Sequence, residues 1–327
     1  MTINYAAEVL KGSPRALARV ITWLENEDER AAACMEKLYP HIGNAHIIGI
    51  TGSPGAGKSS VTNKLTQAFR HQGLTVGIVA VDPTSPFTGG ALLGDRVRMN
   101  DLTTDKGVFI RSMATRGFLG GLTQTMSSVI KVLDASGKDI VIVETVGVGQ
   151  DEVDIVRVAD TTCLVLVPGY GDIIQSMKAG VMEIADIYVI NKYDNPGADQ
   201  LYAEVSHRVN QDTLIKHSKD ETRAWTPPVT KTVAIDPKGV AELVEAIQTH
   251  QHYLEQHGNL LEMRKARVRE ETLQMIHYEL FRVLKDKLSE NGRMENLVEA
   301  IIANQENPYH AMHQVIAEFI RMPAERQ

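Results

Sequence analysis

Ile47-Ile48-Gly49-Ile50-Thr51-Gly52-Ser53-Pro54-Gly55-Ala56-Gly57-Lys58-Ser59-Ser60 is the stretch that decides the fold. It opens as a short apolar strand, passes through a glycine-rich turn, and continues into residues 61–69, whose apolar positions have helical spacing. From Gly52 to Ser59 it satisfies the phosphate-loop pattern G-x-x-x-x-G-K-[ST] in full, in the strand–loop–helix setting that this chemistry needs. Glycines let the backbone turn tightly enough for its N–H groups to converge on phosphate oxygens, and the helix N-terminus adds partial positive charge. Lys58 is then placed to reach β- and γ-phosphates, and the Ser59 hydroxyl to ligate Mg²⁺. Residues 52–60 are the expected phosphate-binding set, with Lys58 the expected catalytic cation.

Beyond this motif, short apolar runs alternate with helical segments between about His46 and Gln251. The expected strands are 46–51, 75–81, 140–144, 162–167, 187–191 and 229–234. Runs such as Ile140-Val141-Ile142-Val143 and Cys163-Leu164-Val165-Leu166-Val167 suit strands buried on both faces, hence a parallel sheet. The pattern predicts an α/β, doubly wound, mostly parallel domain over 44–251, with ligands at the carboxyl ends of its strands. Residues 1–43 read as a helical extension, with Ser13-Pro14 as a helix start and Leu17, Val20, Ile21 and Leu24 as its apolar stripe. Residues 252–327 carry no strand signal. They read as helices broken near Asn291-Gly292 and Asn307-Pro308, and a tail without a core of its own must pack on the sheet domain or on a second copy.

Composition narrows the classes of function. A chain of 327 residues allows two units at about 150 residues each. Its 43% hydrophobic and 23% charged residues suit a globular protein with a sizeable core. A net charge of −7 argues against a nucleic-acid surface. Cys34 and Cys163 make neither a disulfide framework nor metal-ligand spacing. The amino-terminal residues lack the pattern of a signal peptide, and no apolar run approaches the roughly 20 residues that span a bilayer. The expected location is cytoplasmic, with no membrane partner.

Asn191-Lys192-Tyr193-Asp194, directly after the strand ending at Ile190, resembles the N-K-x-D element of GTPases. That resemblance implies that Asp194 accepts hydrogen bonds from guanine N1 and N2, that Lys192 lies along the base, and that Asn191 braces the loop. Thr232-Val233-Ala234-Ile235 follows another strand and, by the same resemblance, supplies backbone N–H to guanine O6 from Val233, Ala234 and Ile235. Asp82 and Glu144 end strands and Asp95 lies in the loop between them; with Ser59, these carboxylates are the candidate Mg²⁺ ligands, directly or through water. Glu144-Thr145-Val146-Gly147 has the form of the D-x-x-G switch with Glu for Asp, so Gly147 would offer its N–H to the γ-phosphate. Ras-type proteins place a water-orienting Gln after that glycine. Val148 stands there in this chain, which predicts slow intrinsic hydrolysis, with Gln150 or a partner completing the site.

Longer segments resemble the methylmalonyl-CoA mutase-associated GTPases, the MeaB/ArgK type of the SIMIBI class, similar to the human methylmalonic aciduria type A protein. They are residues 82–90 (Asp-Pro-Thr-Ser-Pro-Phe-Thr-Gly-Gly) running to Gly94-Asp95-Arg96, residues 144–150 (Glu-Thr-Val-Gly-Val-Gly-Gln), and Lys178-Ala179-Gly180 followed by Glu183-Ile184-Ala185-Asp186. The resemblance implies a GTP-binding and GTP-hydrolysing chaperone that gates adenosylcobalamin loading of an acyl-CoA mutase and protects or reactivates it. It also implies a homodimer joined through a C-terminal helical dimerisation arm, and a partner-coupling switch at Asp172, Gln175 and Lys178. Mg²⁺ and GTP or GDP are the implied ligands, and no tightly bound organic cofactor is expected. Two alternatives share the phosphate loop: a nickel-type metal-delivery GTPase, which needs Cys or His ligands that are dispersed here, and a P-loop kinase linked to transport, which Asn191-Lys192-Tyr193-Asp194 disfavours.

Overall fold

The computed structural model describes residues 3–83, 99–115, 121–145, 155–169, 182–218, 225–236, 238–289 and 292–321. Among them, seven strands form one sheet: β1 (His46–Thr51), β2 (Val76–Pro83), β3 (Val108–Thr115), β4 (Ile140–Glu144), β5 (Thr161–Leu166), β6 (Ile187–Ile190) and β7 (Val229–Lys231). Their order is β3-β2-β4-β1-β5-β6-β7, and every pairing is parallel. After β4 the chain crosses β1 to build the other half of the sheet. The carboxyl end of β1 therefore lies at the topological switch point, where open α/β sheets form their ligand crevice.

The alternation within each strand explains the two-sided core. In β4, Ile140 and Ile142 join one apolar cluster with Ile48, Ile50, Leu65 and Phe69, while Val141 and Val143 join another with Val79, Val129 and Leu133. Successive side chains of a strand point to opposite faces, so a strand apolar at every position is buried on both. Helices α4 (Lys58–His71) and α7 (Val240–Gln256) supply the first cluster, and α5 (Gly121–Ala135) supplies the second. Helix α6 (Ala198–Ser218) packs Leu201 and Val205 with Leu164, Leu166, Tyr188 and Ile190.

The strand β3 was not expected from the sequence. Arg111 and Ser112 interrupt its apolar run, and as an edge strand it is buried less completely than the centre. The arginine has a structural use: Arg111 forms an ion pair with Glu25 and donates to Thr22 Oγ1, both in helix α2 (Pro14–Glu25). Helix α2 starts as its sequence implies, with Ser13 Oγ accepting from the Ala16 N–H and Pro14 in the first turn. With α1 (Tyr5–Leu10) and α3 (Glu29–Leu38) it buries Val9, Leu17, Val20, Ile21 and Leu38 in the cluster that holds Val79 and Val141.

At the amino ends of the strands, Asp160 is fully buried and accepts from the Ile47 N–H, Arg264 and Arg267. Burial alone would raise its carboxyl; the arginine hydrogen bond and charges outweigh that and hold it below its ordinary value. Nearby, Thr161 Oγ1 lies between His46 Nε2 (2.8 Å) and His250 Nδ1 (2.9 Å).

The chain divides into two compact units, Met1–Arg267 and Val268–Gln327. Helix α8 (Asn259–Ser289) runs into the second unit, which continues with α9 (Arg293–Ile302) and α10 (Pro308–Arg321). Gly292, at φ 67°, caps α9, and Pro308 opens α10, so both sequence breaks fall between helices. No side chain of α8 or α9 is buried. Among the described residues no helix is long and apolar enough to cross a membrane.

Candidate nucleotide-binding site

The loop between β1 and α4 takes its shape from its glycines. Gly52 and Gly57 sit at φ 139° and 87°, backbone that favours glycine. A Cβ on Gly52 would lie 2.2 Å from the Val165 carbonyl oxygen, and one on Gly57 would lie 2.5 Å from Asn191 Nδ2. The chain therefore has room for this turn only where side chains are absent. Gly57 caps α4, so Lys58, Ser59 and Ser60 form the first turn of that helix, beside the loop.

Lys58 is buried, and its ammonium donates to the carbonyls of Gly52 (2.8 Å) and Ser53 (3.1 Å). Ser59 Oγ donates to Glu144 Oε1 at 2.6 Å, and Thr62 Oγ1 donates to Glu144 Oε2 at 2.8 Å. All three of these side chains are buried. Glu144 pairs with Ile50 in the β1–β4 register, which brings the end of β4 beside the phosphate loop. One residue further, Thr145 donates its N–H to the Ile50 carbonyl, and its hydroxyl lies 3.1 Å from Thr51 Oγ1.

Asn191 connects three loops. Its Nδ2 donates to the Ala56 carbonyl at 2.8 Å, while Oδ1 accepts from Thr232 Oγ1 at 3.2 Å and the Ala234 N–H at 3.3 Å. Lys192, in left-handed backbone at φ 53°, reaches back to the Gly55 carbonyl at 2.9 Å. Asp194 is exposed. The Val233 N–H goes to the Lys238 carbonyl, and Ile235 is 89% exposed. Tyr193, between the two charged residues, is fixed from outside the crevice: Lys231 Nζ lies 4.5 Å from its ring centroid and 4.0 Å from that of Tyr202. The phosphate loop, Glu144, the Asn191–Asp194 turn and the Thr232–Ile235 segment therefore gather at one end of the sheet.

Asp82 closes β2 opposite Ala114 of β3, at the same end of the sheet. Asp95, Gly147, Val148, Gln150, Asp172, Gln175 and Lys178 lie outside the described residues. Sequence reasoning passed over Thr62. The available signal was its place three residues after Ser59, on the same face of the helix.

A parallel sheet with its phosphate loop at the switch point and an Asn-Lys-x-Asp turn hydrogen-bonded to that loop defines a P-loop GTPase. The family model described as methylmalonyl Co-A mutase-associated GTPase MeaB matches residues 17–289. A Pyrococcus horikoshii protein assigned as a GTPase by inference is 49% identical over 310 residues, covering 95% of this chain and 96% of that one. GTPase ArgK of Escherichia coli is 36% identical over 261 residues, covering 78% of this chain and 77% of ArgK. A crystal structure of an LAO/AO transport system kinase aligns over 97% of each chain with a TM-score of 0.68 at 26% identity. The chain belongs to the MeaB family of GTPases.

Proposed function

We propose that this GTPase is a nucleotide-gated chaperone of an adenosylcobalamin-dependent, methylmalonyl-CoA-type mutase, controlling cofactor loading and protecting or reactivating the enzyme. The observation that carries the reading is the match of residues 17–289 to a family described by its association with that mutase. In this reading Asp194 selects guanine, Lys192 flanks the base, and Asn191 keeps base loop and phosphate loop in one register. The Val233–Ile235 segment lies toward guanine O6, although the Val233 and Ala234 N–H groups are given to Lys238 and Asn191 in this structure. Residues 52–60 hold the phosphates, with Lys58 leaving its two carbonyl partners for the β- and γ-oxygens.

Ser59, Glu144 and Asp82 would hold Mg²⁺, with Asp95 a fourth candidate. The donor set fits: Ser59 Oγ and the Glu144 carboxylate bring hard oxygens together at the phosphate loop, and such oxygens suit this cation. Bound there, Mg²⁺ would supply positive charge against that of the phosphates. Gly147 donates to the γ-phosphate and Gln150 assists the attacking water. With Val148 beside Gly147, intrinsic turnover is slow until a partner completes the site. Asp172, Gln175 and Lys178 couple the nucleotide state to the mutase, which must in turn alter nucleotide handling, since coupling between binding sites is reciprocal.

The chain acts as a homodimer in this reading. Leu273, Ile276 and Leu280, with Phe281 beside them, are more than half exposed at helical spacing on α8, an apolar stripe suited to a second copy. The mutase role is tested by following adenosylcobalamin transfer into apo-mutase with the chain held in its GTP or GDP state. Nucleotide-dependent transfer supports gating; equal transfer in both states, matching transfer without the chain, contradicts it.

A further inference from the structure

Threonine hydroxyls in helices commonly donate to the carbonyl four residues earlier. Thr22, Thr66, Thr249 and Thr272 all do so here, onto Ala18, Thr62, Glu245 and Val268 at 2.7–2.9 Å. Thr62 departs from that habit. Its hydroxyl leaves α4 and donates to Glu144 Oε2, on the strand end 82 positions away. Ser59, three residues before it on the same helical face, takes the other carboxylate oxygen. The residue pair Ser59/Thr62 thus grips both oxygens of one glutamate.

We infer that Thr62 is a positioning residue for the metal: by holding Glu144 Oε2 it keeps Oε1 on the Ser59 hydroxyl, where a nucleotide-bound cation would sit. The inference rests on the reading of Ser59 and Glu144 as the Mg²⁺ site. A glutamate has one more rotatable bond than an aspartate, and donors on both of its carboxylate oxygens restrict the plane it takes. Thr62 is fully buried and Glu144 is 3% exposed, so the bond between them is an interior one. Groups that orient a metal ligand without touching the metal set its affinity, and their removal costs about 10- to 100-fold.

The test is guanine-nucleotide affinity, measured with fluorescent GDP across a Mg²⁺ titration and again in EDTA, for wild type, Thr62→Val and Thr62→Ser. The expected result is a Thr62→Val midpoint raised about tenfold in Mg²⁺ with EDTA affinity within about twofold of wild type, and a Thr62→Ser midpoint close to wild type. Should valine disturb the fold, as thermal unfolding would reveal, Thr62→Ala against Thr62→Ser makes the same comparison. An unchanged Mg²⁺ midpoint on loss of the hydroxyl overturns the inference. So does an equal loss in EDTA and Mg²⁺, which would mark a general packing role. Wild-type GDP affinity indifferent to Mg²⁺ overturns the metal reading itself, and this inference with it.

Discussion

The Asn191 side-chain amide donates to the Ala56 carbonyl at 2.8 Å, joining the turn after β6 to the phosphate loop 135 positions earlier. The same side chain accepts from Thr232 and Ala234, so one buried amide sets the distance between the loops proposed to hold phosphate and base. Asn191→Ala leaves three buried groups without partners. We expect a loss of about 2–4 kcal/mol in stability and GDP affinity weakened by about tenfold or more, read by urea unfolding and nucleotide titration.

Asp194→Asn separates base recognition from that scaffold. Asp194 is exposed, and the substitution keeps its size, so folding should be unaffected. A carboxylate accepts from both guanine N1–H and N2–H, whereas an amide offers one acceptor and one donor. GTP affinity should fall by about 10- to 100-fold, while xanthosine triphosphate, which carries a carbonyl in place of the 2-amino group, should gain. Competition between the two nucleotides reads the exchange directly.

Gly57→Ala tests the loop geometry. The residue is left-handed, and its added methyl would meet Asn191 Nδ2 at 2.5 Å, so either the turn or the asparagine must move. The strain of an alanine in this conformation is about 1–2 kcal/mol. Nucleotide binding should suffer far more than Tm, because the displaced groups are the ones that converge on the phosphates.

The pH dependence of stability should come from the other end of the sheet. Burial lowers His46 and His250 from an ordinary 6.5 to about 4, and the charge of His46 adds to the lowering of His250. Their unfolded forms bind protons that the folded chain refuses between these values. Stability is therefore fully present above pH 6.5 and declines as pH falls toward 4, by about 1.4 kcal/mol for each pKa unit of depression. Urea midpoints measured from pH 7 to pH 4.5 should drop, and His250→Gln should flatten the slope. A flat wild-type profile would contradict the assignment.

Six of the seven strands and the phosphate loop were legible in the sequence because their signals are local. Ile140-Val141-Ile142-Val143 is apolar at every position because both of its faces are buried, and Gly52 and Gly57 are glycines because neighbouring backbone or side-chain atoms occupy the Cβ position. Strand β3 was hidden by Arg111, whose charge is met by a glutamate 86 positions away in α2. Thr62 was hidden for the same reason. Its place three residues after Ser59 puts it on the phosphate-loop face of the helix, but does not say that a strand end will deliver a carboxylate to it. Long-range polar pairing of this kind is fixed by topology, which a single sequence does not display.

The most direct test of the account is GTP hydrolysis by the full chain, with ATP as the comparison, alone and with an adenosylcobalamin-dependent acyl-CoA mutase. The expected result is guanine selectivity, slow turnover in isolation, and acceleration when the mutase is added. A preference for ATP would contradict the reading of Asp194, and guanine-selective hydrolysis that the mutase leaves unchanged would contradict the proposed partnership.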